Sequence, residues 1–256
     1  MIRFLKQIVK RLLASFGLII FKRSTGIYIG ENEIPSLALR LCGVAQPVII
    51  DGGAHEGAFV DAVRALCPAA QFLCFEPDPS LANRLRYKYS GDPGVQIVQS
   101  ALGSACGSAT FNINQSRACN SLAASGSGTT GTLGTLMTTL DRIEVEVTTL
   151  DDAMRMAKIP ACNIIKLDLQ GHDLPALQGG VGALGLANVV IVEVWYAPVY
   201  TNTVTYLEIF DFLRNRGFSI YALAGLHYST ADRLLWSDAV FLRSDSPLFK
   251  EPVTIN

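Results

Sequence analysis

The chain has 256 residues, half of them hydrophobic, with 21 basic and 22 acidic side chains and a net charge of -1. That length suits one large domain, or a domain with an appendage, and supplies a sizeable core, while the near-zero charge excludes the broad basic footprint of a nucleic-acid binder. Six scattered cysteines with no C-x-x-C pair (Cys42, Cys67, Cys74, Cys106, Cys119, Cys162) read as reduced, buried thiols in a cytoplasmic protein, and exclude a disulfide framework or a zinc site.

At the N-terminus, Arg3, Lys6, Lys10, Arg11, Lys22 and Arg23 all precede the first acidic residue, Glu31. Leu5, Ile8, Val9, Leu12, Leu13 and Phe16 fall among them at helical spacing, so residues 1–43 read as a basic amphipathic helical segment ahead of a domain over 44–256. Such a segment suits either peripheral contact with the anionic inner face of a membrane or packing against protein, and the pattern leaves both open. The apolar run Leu12 to Phe21 is too short to span a bilayer, and Lys22-Arg23 follow it where a signal peptide would place small residues, which excludes a transmembrane span and a secretory signal.

Apolar runs and helical patterns then alternate, the sequence form of a parallel sheet flanked by helices. Val48 to Asp51 predicts a strand, and Ala58 to Leu66 a helix with Phe59, Val63 and Leu66 on one face before Pro68. Gln71 to Glu76 is a second strand. Asp78 reads as an N-cap with Pro79 at the first helical position of a helix to about Tyr89, and Val95 to Gln99 as a third strand. After a short strand over Ala109 to Ile113, the Gly-, Ser- and Thr-rich stretch Asn120 to Thr139 is expected to be a flexible loop, a lid over a site in one reading. Val145 to Thr148 resumes strand, and Thr149-Leu150-Asp151-Asp152 has capping-box form for a helix to about Lys158. Strands over Asn163 to Leu169, Val189 to Val194, Phe218 to Leu223 and Ala239 to Leu242, with helices over Ala176 to Leu184 and Tyr206 to Arg216, complete the pattern.

The chemistry sits at the strand ends. Asp51-Gly52-Gly53-Ala54-His55-Glu56-Gly57 joins a strand-end carboxylate to a turn whose glycines let backbone approach a ligand closely. Glu76 ends the second strand about 25 residues later, where an acid can accept the hydroxyls of a ribose and would repel a 2′-phosphate. The turn is D-x-G-x-x-x-G rather than the G-x-G-x-x-G of dinucleotide enzymes, which favours a cofactor with a cationic amino-acid moiety over a pyrophosphate. S-adenosylmethionine fits. A nicotinamide-dependent oxidoreductase shares the crevice logic and stays as an alternative.

His172, a few residues beyond the Asn163 to Leu169 strand, is the first candidate for a general base because an imidazole titrates near neutral pH. Asp168 is placed to orient an acceptor or that imidazole. Asp168, His172 and Glu193 have the chemistry to share a divalent cation, but each also has an ordinary sheet-edge role and no metal site is assigned. His227, Trp195, Tyr196 and Tyr200 read as pocket wall or core.

Taken in order, the glycine turn, Phe75-Glu76-Pro77-Asp78-Pro79, Ser100-Ala101-Leu102-Gly103, Asn120-Ser121-Leu122, Thr148-Thr149-Leu150-Asp151-Asp152 and Ile165-Lys166-Leu167-Asp168-Leu169-Gln170-Gly171-His172-Asp173 resemble the FkbM-type family of S-adenosylmethionine-dependent methyltransferases, over about Val44 to Arg243. The family usually has Asn at the place of His55 and often Glu at that of Gln170. The resemblance implies a Rossmann-like class I methyltransferase fold, a mostly parallel seven-stranded sheet with helices on both faces and its last strand antiparallel. It also implies that Asp51, Gly52, Gly53, His55 and Gly57 hold the methionine end with Asp168 nearby, Glu76 and Pro77 the ribose, and Ser100 and Ala101 the adenine. The implied acceptor is a hydroxyl oxygen of a sugar, glycan precursor or other small metabolite. A catalytically silent cofactor-binding or scaffolding protein of the same fold is the alternative.

Overall fold

The computed structural model describes residues 29–126, 129–201 and 204–250, so the basic stretch expected as a helix before residue 29 lies outside the described residues. In chain order the elements begin with α1 (Ile34–Cys42), β1 (Val48–Gly52), α2 (Ala58–Leu66), β2 (Gln71–Phe75), α3 (Pro79–Lys88), β3 (Val95–Val98), β4 (Ala101–Leu102) and β5 (Gly107–Asn114). They continue through α4 (Gly131–Leu136), β6 (Thr139–Thr148), α5 (Leu150–Met156), β7 (Ile164–Leu167), α6 (Asp173–Gln178) and α7 (Val181–Leu186). The last are β8 (Val189–Trp195), α8 (Tyr206–Arg214), β9 (Phe218–Tyr228) and β10 (Leu234–Arg243).

Seven strands form one sheet in the order β3-β2-β1-β7-β8-β10-β9. Neighbours from β3 through β8 are parallel, and β10 runs antiparallel to both β8 and β9. This is the expected class I methyltransferase sheet. Chain order runs outward in opposite directions from β1 and β7, so the crevice at their carboxyl ends is the place where an open α/β sheet binds ligands.

Period-two alternation gives the sheet two buried faces. On one, Ile50, Leu73, Phe75, Leu167, Val190 and Val192 meet Leu150 and Met154 of α5, Leu174 and Leu177 of α6, Leu184 of α7 and Leu213 of α8. On the other, Ile49, Phe72, Cys74, Ile164 and Ile191 meet Leu37, Ala38 and Leu41 of α1, Val60 and Val63 of α2 and Leu85 of α3. Each such large apolar side chain, fully buried, contributes about 1.5–3 kcal/mol. Residues 34–42 therefore pack as part of the same body as the sheet.

Three local differences from the sequence reading stand out. The run expected as one helix over Ala176 to Leu184 is two short helices broken at Gly179-Gly180, where a Cβ on Gly179 would stand 2.1 Å from the carbonyl oxygen of Gly103. Close passage of that backbone requires glycine and interrupts the helix. The Asn120 to Thr139 stretch is anchored rather than free: Ser121 and Ser125 make bridges to Asn112 and Tyr200, α4 forms inside it, and Met137 is buried against Trp195 and Tyr200. Strand β6 also begins earlier than expected and pairs with β5 in a second, three-stranded sheet ordered β4-β6-β5. Ala101, Phe111, Val145 and Val147 cluster in it while Asp141, Glu144 and Glu146 are exposed, the alternation of a half-buried hairpin. All six cysteines are free; Cys42, Cys74 and Cys162 are buried, while Cys106 is exposed. Among the described residues no helix is long and apolar enough to cross a membrane.

Candidate active site

A cleft of about 700 Å³, measured out to its open mouth, lies at the carboxyl ends of β1, β2, β3 and β7. Gly53, His55, Glu76, Pro77, Ser100, Ala101, Asp168 and His172 all line it, so loops after four strands converge as the sequence reading required. Phe111, Arg117, Asn120 and Leu122 line it as well, from β5 and the segment beyond it.

The floor is made by the glycine turn. The amides of Gly53 and Ala54 donate to the carbonyl of Phe75 at 3.1 and 3.0 Å, folding the turn back on β2. Gly53 has φ +76°, and a Cβ there would fall 2.1 Å from the Asp168 carbonyl oxygen, so only glycine lets β1 and β7 close together at this point. Beside it Glu76 is buried, with Oε2 accepting from the His55 amide and Oε1 from the Asp78 amide, both at 2.9 Å. His55 thus serves through its backbone, with φ +50°. Burial pushes the Glu76 carboxyl up to about 7 in spite of those two donors. Asp78 caps α3 through the amides of Ser80 and Leu81, and its Oδ2 takes Arg117 Nη1 at 2.9 Å, pinning the turn at Arg117–Cys119 above the cleft.

Three expected cofactor residues do not line the cleft. Gly52 packs against Leu167 and Leu102, and Gly57 opens α2 against Tyr89, whose hydroxyl donates to its carbonyl at 2.9 Å. Asp51 is fully buried beneath the turn. It sits in register with Lys166 across the β1–β7 pair, and the Lys166 ammonium lies 3.4 Å from Asp51 Oδ1, 3.5 Å from the Gly53 carbonyl and 3.6 Å from Asp168 Oδ2. Burial raises the Asp51 pKa and Lys166 opposes that rise; for Lys166, burial is outweighed by Asp51, Asp168 and Asp238, which hold it protonated above the usual lysine range. Strand register thus gives the Asp51 carboxylate, expected to hold the methionine end, an internal cation beneath the cleft. Lys166 went unassigned in the sequence, although an ammonium inside an apolar strand demands a buried counter-charge and so signalled Asp51.

At the other end, Asp168 has a side chain 37% exposed. Its oxygens face Gln170 Nε2 at 2.7 Å and Lys166 rather than the imidazole of His172. His172 precedes α6, and burial lowers its pKa, so the ring is neutral near pH 7. Glu193 is buried behind them and takes Trp195 Nε1 at 3.0 Å, its pKa driven well up by burial and then by Asp168, Asp173 and Asp238. Trp195 and Tyr200 are core, edge to face at 5.2 Å, and Tyr196 bonds Ser237. His227 stacks on Trp236 and pairs with Glu31. Among the described residues no group of three or more His, Cys, Asp or Glu side chains is placed to hold a metal ion.

Comparison with known proteins gives a consistent result. The profile of the methyltransferase FkbM domain matches residues 51–220. The hexuronic acid methyltransferase AglP of Haloferax volcanii is 30% identical over 180 residues, covering 70% of this chain and 67% of that protein. The 2-O-methyltransferase NoeI of Sinorhizobium fredii is 25% identical over 183 residues, covering 66% of this chain and 71% of its own. Among solved structures, magnesium protoporphyrin IX methyltransferase from Synechocystis PCC 6803, determined with bound SAM, aligns over 84% of this chain and 80% of that one at 11% identity and a TM-score of 0.46.

Proposed function

The chain belongs to the FkbM family of methyltransferases with S-adenosylmethionine as cofactor, and on that premise we propose that it methylates a hydroxyl oxygen of a sugar, glycan precursor or similar small acceptor. The observation that carries the reading is one cleft lined by both a buried carboxylate, Glu76, and a neutral imidazole, His172. The two relatives, named for a hexuronic acid and for a 2-O position, support an oxygen acceptor.

The residues present suit the nucleoside. Ser100 Oγ is buried, lines the cleft and has no hydrogen-bond partner among the described residues, which leaves it free for an adenine edge. Each Glu76 oxygen accepts one backbone amide and keeps a lone pair for a ribose hydroxyl. Asp168, near the cleft's other end, is the carboxylate for the cationic amino-acid portion or for the acceptor. The cofactor supplies a methyl on a sulfonium, so its leaving group is built in. The chain's own work is then to align the acceptor oxygen and remove its proton. His172 takes that proton on its neutral ring; positioned base catalysis is worth about 10²–10⁴-fold.

The test is transfer of labelled methyl from S-adenosylmethionine to a panel of uronic acids, neutral hexoses and nucleotide sugars, with cofactor binding followed by calorimetry. Methylation of at least one hydroxyl-bearing sugar is expected. Cofactor binding with label appearing only on nitrogen or carbon acceptors would refute the oxygen assignment.

A further inference from the structure

Gln170 occupies a position in which its carbonyl and both ends of its side-chain amide are committed. It lies in the turn between β7 and α6 with φ +52°, an uncommon conformation for a residue with a side chain, which persists where surroundings over-determine it. Ser121 Oγ donates to its carbonyl at 2.8 Å, and the Tyr200 hydroxyl donates to its Oε1. Its Nε2 donates to Asp168 Oδ1 at 2.7 Å and to Glu193 Oε2 at 3.1 Å. A side-chain amide has two N–H donors, so both are spent on carboxylates from different strand ends.

The surroundings make that commitment matter. Asp51 of β1, Lys166 and Asp168 at the end of β7, Asp173 of α6, Glu193 of β8 and Asp238 of β10, with Cys119 and Tyr200, are the titratable groups facing this spot. Of these carboxylates Asp168 lines the cleft, while Asp51, Asp173 and Glu193 are buried. Without a neutral donor between them, Asp168 and Glu193 have no shared hydrogen-bond partner.

We propose that Gln170 is a positioning residue: its neutral amide ties Asp168 to Glu193 and holds the Asp168 carboxylate turned into the cleft toward a cationic cofactor. This rests on the methyl-transfer reading of the site. Gln170 also lines the cleft, and in this role it acts through Asp168, the carboxylate assigned to the amino-acid portion or the acceptor.

The test measures binding of S-adenosylmethionine, and of S-adenosylhomocysteine with its uncharged sulfur, by calorimetry at pH 8 and pH 6 for the wild type, Gln170→Met and Gln170→Glu. Both variants should bind S-adenosylmethionine and S-adenosylhomocysteine, which share the amino-acid portion assigned to Asp168, about 10- to 100-fold more weakly at pH 8. At pH 6 the introduced carboxyl takes up a proton, regains an O–H donor and recovers affinity relative to wild type, whereas the methionine variant does not. Equal losses in both variants at both pH values, or no loss in either, overturn the proposal while leaving the cofactor reading intact. Failure of the wild type to bind S-adenosylmethionine overturns both. If the Gln170 variants do not fold, Tyr200→Phe, which removes the hydroxyl that fixes the amide, should lower affinity for both cofactor forms by a smaller factor; unchanged affinity refutes the idea.

Discussion

Removing the charge of Glu76 separates its cost to the cofactor-free protein from its use in binding. Its carboxyl titrates at about 7 in the folded protein because burial outweighs the two amide donors. If cofactor binding requires the carboxylate, about a tenth of the protein is competent at pH 6 and about nine tenths at pH 8, so affinity falls about tenfold between them. Binding then releases about 0.9 proton at pH 6 and about 0.1 at pH 8, measurable by calorimetry in buffers of different ionisation enthalpy. The sign for stability is opposite to that of a salt-bridged acid. With the folded pKa raised above the usual 4.5, the stability this group contributes is fully present below pH 4.5 and is lost as pH rises through 7. Glu76→Gln should therefore flatten the acid-side gain in melting temperature of the cofactor-free protein, weaken cofactor binding about tenfold or more at pH 8, and abolish the extra proton release at pH 6. Equal proton release from the variant and the wild type at pH 6 would refute the reasoning.

Three further outcomes test the site. His172→Ala should lower methyl transfer by about 10²–10⁴-fold and leave cofactor affinity within about twofold, and because burial lowers the imidazole pKa the wild-type rate at saturating cofactor should hold through neutral pH and fall only on acidification; equal turnover removes the residue from catalysis. Gly53→Ala places a Cβ 2.1 Å from the Asp168 carbonyl at φ +76°, so urea denaturation should show a loss of more than about 1 kcal/mol together with lost cofactor binding. Arg117→Ala leaves the Asp78 cap in place but cuts the link from α3 to the turn over the cleft, and stopped-flow dissociation of cofactor should accelerate about tenfold or less.

Periodicity and capping made the sheet and most helices legible. Asp78-Pro79 opens α3 and Thr149 caps α5 as read from the chain, because those signals act over three or four residues. The convergence of Gly53, Glu76, Ser100 and His172 was likewise legible, since residues at parallel strand ends meet whatever the loops do. What escaped were relations set by register and by packing between distant segments. Lys166 lies opposite Asp51 only through the β1–β7 register, and Arg117 and Asn120 reach the cleft only because the β5–β6 hairpin carries them there. A Gly- and Ser-rich composition likewise said nothing of Ser121 meeting the Gln170 carbonyl or Met137 burying itself beside Trp195.

The charges beneath the sheet edge serve geometry more than contact. An ion pair as deeply buried as Asp51 with Lys166 gains little net stability over an apolar pair of similar size. Here the same ammonium also lies near the Gly53 carbonyl and Asp168, so the turn that floors the cleft and the carboxylate at its far end share one anchor. Around that single lysine stand Asp51, Asp168, Asp173, Glu193 and Asp238, several of them with pKa values pushed up because burial and mutual repulsion disfavour their charge. Such a floor is short of positive charge. On the proposed function, whatever negative charge this floor retains should hold a sulfonium more tightly than a neutral sulfur, and equal calorimetric affinities for S-adenosylmethionine and S-adenosylhomocysteine would refute it.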